Sequence, residues 1–169
     1  MQTYKYDAFI SYRHTEPDKA IAEKLHRMLE TYKVPKAVIK MGSQKKVGRV
    51  FRDREELPTS SNLADSIQEA LENSEHLIVI CSPRTPHSQW VCKEIETFSE
   101  LHGHDRILAL LIEGEPEESF PDQLRLVKKK TVREDGTVTE EIQEIEPLAA
   151  DIRAQNLGGT KKKLKTEKG

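Results

Sequence analysis

The chain has 169 residues, of which 33% are charged, and its formal net charge is −2. One domain of ordinary size is expected, long enough to bury a core. Charges of both signs are so nearly balanced that no bulk field draws the chain to nucleic acid or to a membrane, and neither is expected as a partner of this segment.

Residues 6–12, YDAFISY, are β-prone and apolar at their centre and read as a first buried strand. A helix follows. Thr15 and Asp18 are spaced like a capping box and Pro17 suits a first turn. Ile21, Leu25, Met28, Leu29 and Tyr32 then share one helical face. The segment VPK ends that helix and leads into a basic loop with Gly42 and Gly48. Residues 48–53, GRVFRD, read as a second short strand. The polar loop REELPTSSN carries several helix N-cap candidates between Thr59 and Asn62. Leu63, Ile67, Ala70 and Leu71 make the next helix amphipathic.

Residues 76–82, HLIVICS, are the most apolar run and read as a central strand buried on both faces. The break PRTPHSQ precedes a helix beginning near Ser88, and RILALLI at 106–112 reads as another buried strand. GEPEESFPDQL is a loop entering a short helix. The alternation of strand and helix predicts an α/β fold, an open parallel sheet of about five strands with helices on both sides. Residues 128–146 alternate apolar with polar around Asp135-Gly136, a two-residue hairpin signal. They predict a β-hairpin insertion near the C-terminus, as an exposed ribbon or a decorated fifth strand. PLAADIRAQN reads as a turn and short helix. The tail GGTKKKLKTEKG has five lysines against one glutamate. The expected division is a domain over 1–157 and, over 158–169, a basic tail that starts a last helix or links to a missing domain.

The two cysteines, Cys81 and Cys92, make neither a disulfide framework nor a metal-ligand spacing, and Cys81 reads as a core thiol. No apolar stretch approaches the ~20 residues a membrane span needs. Residues 1–5 are polar with no apolar run to make a signal peptide, so a reducing, cytoplasmic setting is expected. His102 and His104 form a possible metal pair, but further ligands at suitable spacing are lacking, and no metal is expected.

Ligands of an open parallel sheet bind at the carboxyl ends of its strands. The segments there are SYRH, RDREEL, SPRTPHSQW and EGEPE. SYRHTEP has no glycine, which excludes the dinucleotide-binding Gly-rich turn, and no P-loop is present. An acceptor Asp ending strand three is replaced by Cys81-Ser82-Pro83.

YDAFISYRH, RVFRDREELPTSSNL, SIQEALENSEHLIVICSP and SQWVCKEIETF, in that order over about residues 4–124, together resemble a Toll/interleukin-1 receptor (TIR) domain of the bacterial, NAD-consuming type. The resemblance implies a flavodoxin-like sheet of five parallel strands, with the 128–146 hairpin and PLAADIR outside the common core. It implies cleavage of the nicotinamide–ribose bond of NAD+, as substrate with no other cofactor, by Trp90-Val-Cys-Lys-Glu94. Glu94 is then the catalytic carboxylate. Arg13 and His14 match a basic pair that contacts the dinucleotide. Residues four apart share a helical face, so Trp90 and Glu94 are expected as an edge lining the cleft, beside a buried seam of Val91, Ile95 and Phe98. Glu94 is expected to be exposed there and Lys93 solvated.

Ser11 could face the cleft, whereas Phe9 is as readily core. Asp53 and Glu56, in the loop after strand two, either gate the pocket or contact a neighbouring TIR domain. Arg52 and Arg54 either hold phosphates or pair with Glu55 or Glu56. By the same resemblance the expected partners are NAD+, other TIR domains through homo-oligomerisation, and a fused C-terminal sensor or repeat domain in bacterial defence or signalling. A non-enzymatic TIR scaffold is the alternative. A nucleoside deoxyribosyltransferase-like enzyme ranks below both, because FISYR and FRDREEL argue against it.

Overall fold

The computed structural model describes residues 4–31, 49–52 and 63–153. Their elements run β1 (Tyr6–Ser11), α1 (Asp18–Thr31), β2 (Val50–Arg52), α2 (Leu63–Glu72), β3 (Ser74–Cys81), a 3-10 turn (Thr85–His87), α3 (Gln89–His102) and β4 (Ile107–Leu111). Two one-turn helices follow, α4 (Pro116–Ser119) and α5 (Asp122–Arg125), then β5 (Leu126–Val132), β6 (Val138–Glu144) and β7 (Leu148–Asp151).

Five strands make one parallel sheet in the order β2-β1-β3-β4-β7. The three inner strands, β1, β3 and β4, are apolar on both faces because both faces are covered. Phe9, Leu77, Val79, Ala109 and Leu111 pack against Ile67 and Leu71 of α2 and Val91, Ile95 and Phe98 of α3. Ile10, Ile78, Ile80 and Leu110 join a second cluster with Ala22 of α1, against which Ile21, Leu25 and Leu29 pack. Met28, expected on that inner face, is 58% exposed. Two residues beyond His26, it falls on the side of the helix opposite the Ala22–His26 line that is buried. Tyr32, VPK and the basic loop lie outside the described residues.

Two expectations about the C-terminal third need correction. PLAADIR was read as a turn and short helix outside the core. Residues Leu148–Asp151 are instead the fifth strand, pairing parallel with β4 from Leu108↔Leu148 to Leu111↔Asp151. Ala149-Ala150 reads as helix by propensity. Pairing to a free edge of the sheet, with Ala150 and Ile152 packed against the second cluster, overrides that preference. The hairpin is present as a separate antiparallel ribbon of β5 and β6. Its turn has three residues rather than two. Arg133 and Thr137 close it at 2.8 Å, the Gly136 amide donates to Arg133 O, and Gly136 takes φ +87°, open to glycine without strain.

Candidate functional site

The strand order turns around at β1 and β3: from β1 the chain continues to β2 on one side, and then to β3 on the other. Loops leaving the carboxyl ends of two such strands diverge and leave a crevice. A cavity of about 460 Å³ occupies that place. Arg13 and His14 enter it from the end of β1, Arg84 and His87 from the end of β3, and Trp90 from the start of α3. A larger cavity, about 590 Å³, lies along the β4–β7 edge. Its basic groups are already engaged, Arg153 by Asp151 and Glu115 and Arg125 by Asp122, so it offers a ligand less.

Helix α3 is positioned by its cap. Ser88 is its N-cap and accepts a hydrogen bond from the Val91 amide at 3.3 Å. Its buried seam is Val91, Glu94, Ile95 and Phe98. Glu94 was expected beside that seam and exposed; it lies within the seam and is 3% exposed. The position faces the carboxyl end of β1, where the Ser11 hydroxyl donates to Glu94 Oε1 at 2.6 Å. A short bond to a charged acceptor is what makes a carboxylate tolerable there. Trp90, one turn earlier, is 40% exposed and its ring centre stands 6.5 Å from that of His14. The helix thus carries an aromatic rim and a carboxylate one turn deeper.

The structure brings Ser11, Arg13, His14, Trp90 and Glu94 to one end of the sheet, where Arg13, His14 and Trp90 line the cavity, whereas Ser11 and Glu94, expected there too, are buried and do not line it. Phe9 does not line the cavity: it is wholly buried and stacks on Phe51 at 5.0 Å between ring centres. Arg52 also stays outside, and among the described residues its ion-pair partner is Glu23 of α1 at 4.0 Å. Asp53, Arg54, Glu55 and Glu56 lie outside the described residues. Lys93 is exposed. His102 and His104 meet different carbonyls, Leu71 O and Gln123 O, each at 3.0 Å, and so serve the packing of α3 rather than one another. Burial pushes the Cys81 thiol far up, as a core cysteine requires.

Three site residues were not singled out by sequence reasoning. Arg84 and His87 belong to SPRTPHSQW, which was placed at the cleft without a role for either. Asp18 was read as the far end of a capping box with Thr15. Its carboxylate instead lies completely buried between Arg13 and Arg84, at 4.0 and 3.8 Å. Burial holds its pKa above the usual carboxylate range, against the pull of the two guanidinium groups. The local spacing suited a cap so well that it hid the long-range contact.

The family description "TIR domain" matches residues 8–145. The chain is 35% identical over 114 residues to the NAD(+) hydrolase ApTIR of an Actinoplanes species, covering 66% of this chain. It spans only 14% of that relative's length. Among solved structures it resembles the TIR domains of the activated Roq1 resistosome that directly recognises the pathogen effector XopQ. That likeness has a TM-score of 0.47 and 21% identity, over 67% of this chain and 61% of the other.

Proposed function

Because this chain belongs to the TIR-domain family, we propose that it cleaves the nicotinamide–ribose bond of NAD+. The observation that carries the reading is a buried carboxylate, Glu94, one helical turn beyond the Trp90 that lines the switch-point cleft. It is oriented by Ser11 and overhung by Trp90. The likeness to an NAD(+) hydrolase supports it.

Nicotinamide leaves as a neutral base from a cationic glycoside, so departure needs no general acid. Positive charge grows on the ribose as the bond breaks. A carboxylate in a poorly solvated position stabilises that charge more than one in water would. Ser11 reduces the freedom of the carboxylate before substrate arrives. The exposed Trp90 ring offers a flat apolar wall, and Arg13 supplies positive charge for the phosphates, with the His14 ring beside it. Water attacking the ribose carbon gives ADP-ribose; a ring nitrogen of the adenine gives a cyclic product. Self-association with other TIR domains raises activity, and the setting is cytoplasmic, where NAD+ is abundant. A role in bacterial defence or signalling, with a fused sensor domain, accords with that regulation.

The test is nicotinamide release from NAD+, followed over a wide range of protein concentrations. Specific activity is expected to climb with concentration. No release at any concentration, even when the chain is forced to assemble by a fused oligomerising module, refutes the reading and leaves a TIR scaffold in its place.

A further inference from the structure

Asp18 opens α1 with a carboxylate that is 0% exposed. Among the described residues neither oxygen meets a neighbouring donor in hydrogen-bond geometry. A charge in that position is costly unless other charges hold it. Two guanidinium groups converge on the same oxygen, Oδ1. Arg13 Nη1 reaches it from the end of β1 at 4.0 Å and Arg84 Nη2 from the end of β3 at 3.8 Å. The two arginines are therefore held close together, and both line the cavity. Arg84 also donates from Nη1 to Glu113 Oε2 at 2.6 Å, from the segment after β4.

This is not how a purely structural ion cluster is built. Such a cluster closes its hydrogen bonds and turns away from solvent. Here the carboxylate is wholly buried, the two arginine side chains that cover it are 23% and 38% exposed, and the contacts between them are loose. Arg13 Nη1 and Arg84 Nη2, the atoms turned to Asp18, are buried and among the described residues make no hydrogen bond, which leaves the rest of each side chain to line the cavity. Two neighbouring guanidinium groups presented to a cavity suit a ligand with two linked anionic centres.

We propose that Asp18 is a positioning residue that holds Arg13 and Arg84 as a paired clamp for a diphosphate group, and that Glu113 occupies Arg84 until that group arrives. The identity of the ligand rests on the dinucleotide reading above. Asp18 touches no substrate and acts through the arginines. Burial already works against its charge, so the arrangement is kept at the expense of stability rather than for it.

Calorimetric titration of the whole chain with ADP and with adenosine tests this without turnover. Wild type is expected to prefer ADP. Asp18→Asn and Arg84→Gln should each reduce that preference by about 10-fold, the loss of one charged phosphate contact, with adenosine affinity unchanged. Glu113→Gln should tighten ADP binding by a few-fold, because it frees Arg84. The melting temperature of Asp18→Asn at pH 7 should stay level or rise. An Asp18→Asn chain that keeps the preference, or that melts lower and loses both ligands equally, overturns the proposal. If that variant does not fold, Arg84→Gln and Glu113→Gln decide it by the same two directions. A wild type that binds ADP in this way but releases no nicotinamide removes the enzyme reading and leaves the clamp. A wild type with no preference for ADP over adenosine removes the clamp, whatever its turnover.

Discussion

Glu94 occupies a position on α3 that helical packing would ordinarily give to leucine. It is flanked in the seam by Val91, Ile95 and Phe98, all fully buried. The 2.6 Å bond from Ser11 is one of the contacts that make a carboxylate tolerable there. Ser11→Ala should leave the carboxylate oxygen desolvated without its donor, at a cost of about 1–3 kcal/mol in unfolding free energy. It should also slow turnover by roughly 10-fold through loss of orientation; equilibrium denaturation and steady-state rates check the two halves. Trp90→Ala should behave in the opposite way. With 40% of the residue exposed, truncation should cost only about 1 kcal/mol, well short of the full-burial figure, while KM for NAD+ rises. The Trp–Glu pairing was legible because four-residue spacing puts two side chains on one face. The depth of Glu94 was not, because periodicity assigns a charged residue to the solvent side. A long-range contact, with Ser11 arriving from a strand 83 positions away, reverses that.

At the scale of elements, the ribbon and the fifth strand make a contrast that can be measured. Ile142 on β6 is 66% exposed, whereas Ile152, just past β7, packs against the core cluster and donates its amide to Leu111 O at 2.9 Å. Ile142→Asp should therefore change stability by no more than about 0.5 kcal/mol, and Ile152→Asp should cost about 2–3 kcal/mol; denaturant midpoints distinguish them. Alternation and Asp135-Gly136 revealed the ribbon. The four residues of β7 were too few and too alanine-rich to show a period, and only the open edge of β4 defines them as a strand. A further prediction concerns the seam between α1 and β2. Glu30 accepts from the Val50 amide at 2.9 Å and from His26 at 3.1 Å. Burial works against its ionisation, but these two donors outweigh it and hold the carboxyl below its usual range. Its contribution to stability is thus present above the unfolded-state value and lost as pH falls through the lower folded-state value. Glu30→Gln should melt closer to wild type in acid than at pH 7. Melting curves across that range give the sign directly.

For the whole molecule, the order of elements in the sequence was enough to place a cleft, because a parallel sheet that winds both ways from β1 must open at that strand's carboxyl end. The architecture and the neighbourhood of SYRH, SPRTPHSQW and the α3 start followed from local pattern. What local pattern could not supply were contacts between distant segments: Ser11 with Glu94, Asp18 with Arg13 and Arg84, β4 with β7. Each depends on which faces the sheet brings together. The central claim is that the carboxylate one helical turn beyond the Trp90 rim of this cleft acts by its charge. The most direct measurement is turnover of NAD+ by Glu94→Gln against wild type at matched concentration, with melting temperatures recorded for both. Glutamine keeps the size and an oxygen for Ser11 but removes the charge. The account predicts a loss of ~100-fold or more in kcat with a melting temperature equal to or above that of wild type, since a buried charge has been removed. Retention of full nicotinamide release by Glu94→Gln would contradict it.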